Sequence, residues 1–102
     1  MSRLRPRHRH GRCFELAWRY LMFDDRFPDW KLVHGEVLSP IGDGSIMSHA
    51  WLRKRNMVYD PVLNRSFFWT VYKLQYEAQV TASFSQKEAA KAAYRHGHLG
   101  PW

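Results

Sequence analysis

The segment HAWLRKRNMVYD, residues 49–60, contains two apolar runs on either side of a polar cluster at residues 53–56. Two short apolar runs joined by a few polar residues predict a β-hairpin. With Lys54 and Arg55 as the loop, His49 lies directly opposite Asp60. A loop of residues 53–56 preserves this pairing, whereas an odd loop length breaks it. Directly opposed side chains share a face, with Cβ atoms about 4.5–5.5 Å apart. The hairpin is therefore predicted to bring an imidazole and a carboxylate together.

The remaining sequence predicts an α+β fold, in which a buried N-terminal helix carrying the cysteine packs on an antiparallel sheet of about four strands. The apolar run at residues 13–23 predicts that helix. A second helix closes the chain, because Ser85 and Glu88 have the spacing of a capping box and Gly97 suits the position after the helix end. Residues 67–74 fit either a strand or a helix. The predicted strands cover residues 31–38, residues 46–52, a segment that begins at Met57, and the alternating segment 76–84.

Cys13 is the one cysteine of the chain, so no internal disulfide can form, which fits a reducing compartment. It is predicted to lie in the first turn of the first helix. Unpaired N–H groups and the positive end of the helix dipole there stabilise the thiolate, which is the nucleophilic form. Gly11 leaves room for another chain to approach. Cys13, His49 and Asp60 then have the residue types of a nucleophile, a base and an orienting group.

Three short runs, Gly11-Arg12-Cys13, His49-Ala50-Trp51 and Tyr59-Asp60-Pro61, resemble the core signature of the transglutaminase-like branch of the papain-like cysteine enzymes. Residues 30–35 are similar to the strand that separates cysteine and histidine in that family, so the resemblance covers about residues 11–62. It implies a papain-like fold with a Cys13-His49-Asp60 triad. It also implies acyl transfer through a thioester on a peptide or protein substrate, with no cofactor and no metal.

The oxyanion hole is where the sequence departs from papain-like enzymes, which often place a glutamine upstream of the cysteine. Gln75, Gln79 and Gln86 all lie downstream of Cys13. The backbone N–H of Cys13 can supply one donor, and the second donor is open. Three residues are candidates for the substrate cleft or the oxyanion hole: Trp51, His34 and Gly11. Core packing is the alternative for Trp51 and His34.

The net charge of +7 comes mostly from five arginines among the first twelve residues. Without them, eleven basic residues face nine acidic ones, which leaves +2. Residues 1–10 are predicted to be a basic flexible arm, either a solvated tail or a weak polyanion contact, and residues 11–102 a single catalytic domain. The apolar run at residues 14–23 is too short to span a bilayer. We expect a cytoplasmic protein with no membrane partner, and the sequence leaves its oligomeric state open.

Three functions remain open from the sequence. The first is a cysteine hydrolase or acyltransferase, such as a thiol protease or a transglutaminase-like enzyme. The second is a non-catalytic binding module that uses the arginine-rich arm on nucleic acid or an acidic partner. The third is a protein deamidase or effector, which has the same triad and differs in its substrate.

Overall fold

Small and apolar side chains one turn apart fix the first helix to the sheet. The structure is a computed structural model that describes residues 12–39 and 42–102; the predicted arm at residues 1–10 and Gly11 lie outside the described residues. Helix α1 covers Cys13–Phe23, and its buried residues are Cys13, Ala17 and Leu21. This i, i+4, i+8 spacing places them on one face. The predicted helix and its bounds are confirmed.

Within the described residues, the sheet has five antiparallel strands in the order β4-β3-β2-β1-β5. The prediction of about four strands missed β4. The α+β class is confirmed, with three helices among the described residues. Helix α2 covers Trp69–Tyr76 and helix α3 covers Gln86–His96. The strands are β1 (Lys31–Leu38), β2 (Ile46–Lys54), β3 (Met57–Asp60), β4 (Arg65–Phe68) and β5 (Gln79–Phe84).

Helices cover both faces of the sheet, so alternate residues of each strand enter two separate cores. Leu32 and Leu52 are paired across β1 and β2 and pack in one core with Ala17 of α1. The next pair, Val33 and Trp51, packs in the other core with Tyr72 and other aromatic side chains. Strands buried on both faces read as nearly continuous apolar runs, as β1 and β2 do.

The register of the β2–β3 hairpin differs from the predicted one by two residues. Leu52 pairs with Tyr59 and Lys54 with Met57, so the loop is Arg55-Asn56 rather than Lys54-Arg55. The direct pairing of His49 with Asp60 is therefore wrong. A shift of two residues keeps every side chain on its predicted face, since side chains alternate with a period of two. His49 thus becomes a diagonal neighbour of Asp60, which long side chains can still bridge.

Residues 67–74, which fit either a strand or a helix by sequence, contain the end of β4 and most of α2. Residues 69–76 form α2, so the last strand begins at Gln79 rather than at Tyr76. This strand, β5, lies at the edge of the sheet and bulges where His34 pairs with Ala82 and Gly35 with Val80. Its side chains are less buried than the alternating pattern predicts, since 45% of Val80 is exposed.

The last helix begins and ends as predicted. The Ser85 hydroxyl accepts a hydrogen bond from the Glu88 N–H, and the Glu88 carboxylate accepts one from the Ser85 N–H. Gly97 ends the helix with a φ of 74°, a left-handed conformation that glycine adopts easily. None of the helices within residues 12–39 and 42–102 has the length and apolar character needed to cross a bilayer.

Candidate active site

Two neighbouring strands bring a histidine and an aspartate together inside the protein. His49 lies on β2 and Asp60 is the last residue of β3. The His49 Nε2 and Asp60 Oδ2 atoms are 2.8 Å apart, and the two residues are 3% and 1% exposed. The predicted proximity of these side chains is therefore present, although the register that produces it is diagonal.

The Asp60 carboxylate is fully hydrogen-bonded. Oδ1 accepts from the backbone N–H groups of Val62 and Leu63 at 2.9 and 3.2 Å, and Oδ2 accepts from the Tyr72 hydroxyl at 2.7 Å as well as from His49. Burial raises the pKa of Asp60, but the hydrogen bond and charge of His49, with smaller effects of Tyr72 and Leu63, bring it below its ordinary value. Asp60 is therefore a buried anion at neutral pH, stabilised by several donors.

Cys13 lies at the start of α1 beside the same imidazole. It is the first residue of the helix and 1% exposed, and its Sγ is 4.0 Å from the Ser48 carbonyl oxygen. Cys13 lies close enough to His49 to raise the pKa of the imidazole. Since Nε2 of His49 is held by Asp60, Nδ1 is the ring nitrogen that remains for the thiol. The first N–H groups of α1 have no partner within the helix, so the positive end of the helix dipole lies at the residue that carries the thiol.

The His49 imidazole is held in its charged form. Burial lowers the pKa of His49, but its hydrogen bond with Asp60, the charge of that carboxylate and the neighbouring Cys13 raise it to about 9. His49 is therefore an imidazolium at neutral pH, paired with the Asp60 carboxylate. A protonated imidazole beside a thiol favours the thiolate form of a cysteine.

A small, narrow cleft adjoins His49 and Asp60. Apart from these two residues its walls are apolar or aromatic, so the cleft presents no further charge. Cys13 is not among the residues that line it. The wall residues are Val37, Leu38, Met47, Leu63, Tyr72 and Tyr76.

Two of the three other sequence candidates, Trp51 and His34, lie in different places. Trp51 is fully buried beside His49, with ring centroids 6.2 Å apart. Its Nε1 makes no hydrogen bond to any residue that the structure describes. His34 lies away from the cleft, between the rings of Phe14 and Trp102 at 4.8 and 5.1 Å. Burial lowers the pKa of His34 to about 4, so this side chain is neutral at pH 7. Gly11 lies outside the described residues.

Tyr72 is the site residue that sequence reasoning missed. Residues 67–74 were left open between a strand and a helix, and no motif pointed to a tyrosine. A signal is present in the spacing of Trp69, Tyr72 and Tyr76, which follow one another at i, i+3 and i+7. Such spacing puts three aromatic rings on one helix face, and α2 presents Tyr72 to Asp60 in this way.

Comparison with known proteins gives no relative: no protein-family model, no curated protein and no solved structure matches the chain. No group of three or more His, Cys, Asp or Glu side chains within the described residues is placed to hold a metal ion. The candidate site is therefore interpreted from its own side chains, which are a cysteine at a helix start, a charged imidazole and a buried carboxylate.

Proposed function

We propose that this protein is a cysteine-dependent acyl-transfer enzyme that acts on a peptide or protein amide through Cys13, His49 and Asp60. One observation carries the proposal: a single buried imidazole lies 2.8 Å from the Asp60 carboxylate and close enough to Cys13 for that residue to raise its pKa. This is the order of nucleophile, base and orienting group. We further propose that the chain belongs with the transglutaminase-like enzymes of the papain-like superfamily, whose signature it resembles.

In the first half-reaction, the Cys13 thiolate attacks the carbonyl carbon of the amide. The sulfur–carbon bond forms and the carbon–nitrogen bond breaks, while His49 gives its proton to the leaving amine or ammonia. The product is a thioester on Cys13. The backbone N–H of Cys13, at the start of α1, is one donor to the oxyanion formed during this attack.

In the second half-reaction, water or an amine attacks the thioester and gives up a proton to His49. The carbon–sulfur bond breaks and the thiolate is restored. Water gives peptide hydrolysis when the amide is in a backbone and deamidation when it is in a side chain, whereas an amine gives amide exchange. The Asp60 carboxylate stabilises the imidazolium of His49 and fixes the direction of its ring.

An opening step precedes this chemistry, because Cys13 is 1% exposed and the cleft ends at His49 and Asp60. A peptide can meet the sulfur only when the groups around the first turn of α1 separate. Such gating steps are common in enzymes and often limit their turnover.

The test is incubation of the wild type and of Cys13→Ala with a cell extract, followed by mass spectrometry of changed amides. We expect cleaved, deamidated or exchanged amides with the wild type alone, and the type of change identifies the acceptor. Cys13→Ser keeps the shape of the site and should be inactive as well. His34→Phe, whose side chain lies away from the cleft, should keep the wild-type products. Equal modification by Cys13→Ala and wild type would end the proposal.

A non-catalytic binding module is the second candidate, and the burial of Cys13 favours it. Iodoacetamide separates the two functions. For an enzyme we expect alkylation of Cys13 in the native protein near neutral pH, slowed about tenfold in His49→Gln because the thiolate loses its charged partner. For a binding module the thiol reacts only after unfolding, and His49→Gln has no effect on the native rate.

A further inference from the structure

Tyr72 reaches the same carboxylate oxygen as His49 from a different element. Its hydroxyl, presented by α2, donates to Asp60 Oδ2 at 2.7 Å, and His49 Nε2 lies 2.8 Å from that oxygen. Tyr72 is 1% exposed, and its ring packs on Trp51 and Phe67 at 5.3 and 5.1 Å. Packing on these rings fixes the position of the hydroxyl, so this hydrogen bond is a fixed part of the candidate active site.

We propose that Tyr72 is a positioning residue that holds the Asp60 carboxylate and shares Oδ2 with His49, so that the imidazole can release its proton during turnover. This inference rests on the proposed function for its role in turnover. The hydrogen bonds that carry it are present whatever the reaction is.

The physical reason is the buried charge of Asp60. When His49 is protonated, its positive charge balances the negative charge of the Asp60 carboxylate, and the hydrogen bond from Tyr72 adds little further stabilisation. When His49 is neutral, the carboxylate is left with neutral donors only, and the Tyr72 hydroxyl stabilises the anion most. Tyr72 therefore favours the neutral imidazole relative to the charged one. Without it, Asp60 would hold the proton on His49 more firmly.

The charged and titratable groups around His49 come from three elements. Asp60 and Cys13 are the two that raise its pKa, from β3 and α1. Tyr72 and Tyr76 come from α2, and both face the Asp60 charge, which together with burial raises the pKa of each phenol. Of these two tyrosines, only Tyr72 donates to the Asp60 carboxylate within the described residues. The Tyr76 hydroxyl accepts a hydrogen bond from the Gln75 side chain at 3.3 Å.

This difference supplies a matched pair of variants, Tyr72→Phe and Tyr76→Phe. Each removes one phenolic oxygen from the same helix and keeps the ring. The measurement is an NMR titration of the His49 ring, which needs no substrate. We expect the His49 titration midpoint to rise by about 1 pH unit in Tyr72→Phe, as one hydrogen bond to a charged group is lost, and to stay in place in Tyr76→Phe. Equal midpoints in the two variants would overturn the proposal.

A second measurement on the wild type covers the case in which Tyr72→Phe does not fold. The hydroxyl proton of Tyr72 is buried, so it should exchange slowly and give its own NMR signal. We expect this signal to move downfield as His49 loses its proton, because Oδ2 then becomes a stronger acceptor. A signal that stays fixed through the His49 titration would refute the sharing of Oδ2.

Turnover gives a third readout where activity is found. We expect Tyr72→Phe to lower kcat about tenfold with little change in KM, and to move the alkaline limb of the pH profile upward with the His49 midpoint. A titration shift without any turnover in the wild type would leave the positioning of Asp60 supported and the enzyme proposal refuted. Turnover in the wild type, with an unchanged pH profile in Tyr72→Phe, would support the enzyme proposal and refute the role of Tyr72.

Discussion

The Asp60 carboxylate joins three parts of the chain: His49 of β2, Tyr72 of α2, and the turn that follows β3. Asp60→Ala leaves these buried donors without an acceptor. Breaking a buried, hydrogen-bonded ion pair costs about 3–5 kcal/mol. We therefore expect Asp60→Ala to lower the free energy of unfolding by that amount, as measured by urea denaturation at pH 6.

Asp43 is the control for this prediction. It is an exposed aspartate that accepts hydrogen bonds from the backbone and hydroxyl of Ser45. Asp43→Ala should cost no more than about 1 kcal/mol, since exposed groups are readily hydrated. A loss of stability in Asp60→Ala as small as that in Asp43→Ala would show that the buried donors find other partners.

The protonation of His49 makes the stability of the protein depend on pH on the alkaline side. The folded state raises its pKa from 6.5 to about 9. The contribution of the charged imidazole is therefore complete below pH 6.5 and is lost as the pH rises through about 9. We expect a fall on the order of 3 kcal/mol between these values, seen in urea midpoints from pH 6 to 10. His49→Gln should remove this part of the slope, and an unchanged slope in that variant would contradict the assignment.

The protonation of His34 makes the stability of the protein depend on pH on the acid side, where stability falls as the pH falls. Its folded pKa lies at about 4, below the ordinary value of 6.5, because the ring is buried. The neutral imidazole thus contributes stability above pH 6.5 that is lost as the pH falls toward 4. His34→Phe fits the aromatic surroundings of Phe14, Phe84 and Trp102. We expect this variant to have a higher melting temperature than the wild type at pH 5, and a smaller difference at pH 7.

Among the elements, the hairpin explains both the success and the error of the sequence prediction. His49 and Asp60 were placed on one face because the period of a strand is two, and a slip of two residues preserves that face. The register itself was wrong because the turn uses Arg55 with a φ of 53°. Glycine or asparagine usually marks such a position, so an arginine there gives no local signal.

The sequence does not decide between a strand and a helix at α2. Trp69, Val71 and Tyr72 favour strands by their intrinsic preference. The chain is helical there because Trp69, Tyr72 and Tyr76 pack on the second core and on each other. Tertiary packing overrides local preference in this segment. For the same reason, the sequence did not predict that the Tyr72 hydroxyl reaches Asp60.

Gly35 fixes how β1 and β5 approach each other. A Cβ at this position would lie 2.1 Å from the Gln79 carbonyl oxygen and 2.6 Å from the Trp51 ring. We expect Gly35→Ala to force the strands apart and to cost more than about 2 kcal/mol in urea denaturation. Gly44→Ala is the control: its φ of 79° strains an alanine, but no atom lies within 4 Å of the added carbon. Its cost should stay near about 1 kcal/mol, and a reversed order would contradict the close approach.

Across the whole molecule, burial is uneven. Strands β1 to β4 form a meander in which each strand pairs with its neighbour in sequence, whereas β5 returns later to pair with β1. Strand β5 is bonded on one side and interrupted by a bulge, and Ala89 is the one buried residue of α3. No residue of β5 and one residue of α3 is buried, so the C-terminal strand and helix contribute few side chains to the two cores.

We expect this unit to open before the rest of the protein. Backbone amides of β5 and α3 should exchange with deuterium through an opening that costs less than global unfolding, and those in β1 and β2 only through global unfolding. Native-state hydrogen exchange at low urea concentrations measures both. Equal opening free energies in α3 and β2 would mean that the domain opens as one unit.

The stack of Trp51 on Trp69, with centroids 6.2 Å apart and ring planes at 24°, has an optical consequence. Two indoles so close couple their ultraviolet transitions, which should give the protein a pair of circular dichroism bands of opposite sign. Trp51 also contacts His49 and Tyr72, and the Arg53 guanidinium lies 4.3 Å above the Trp69 ring. The tryptophan pair beside His49 is thus an intrinsic ultraviolet chromophore, through which opening of the site can be followed without any added label.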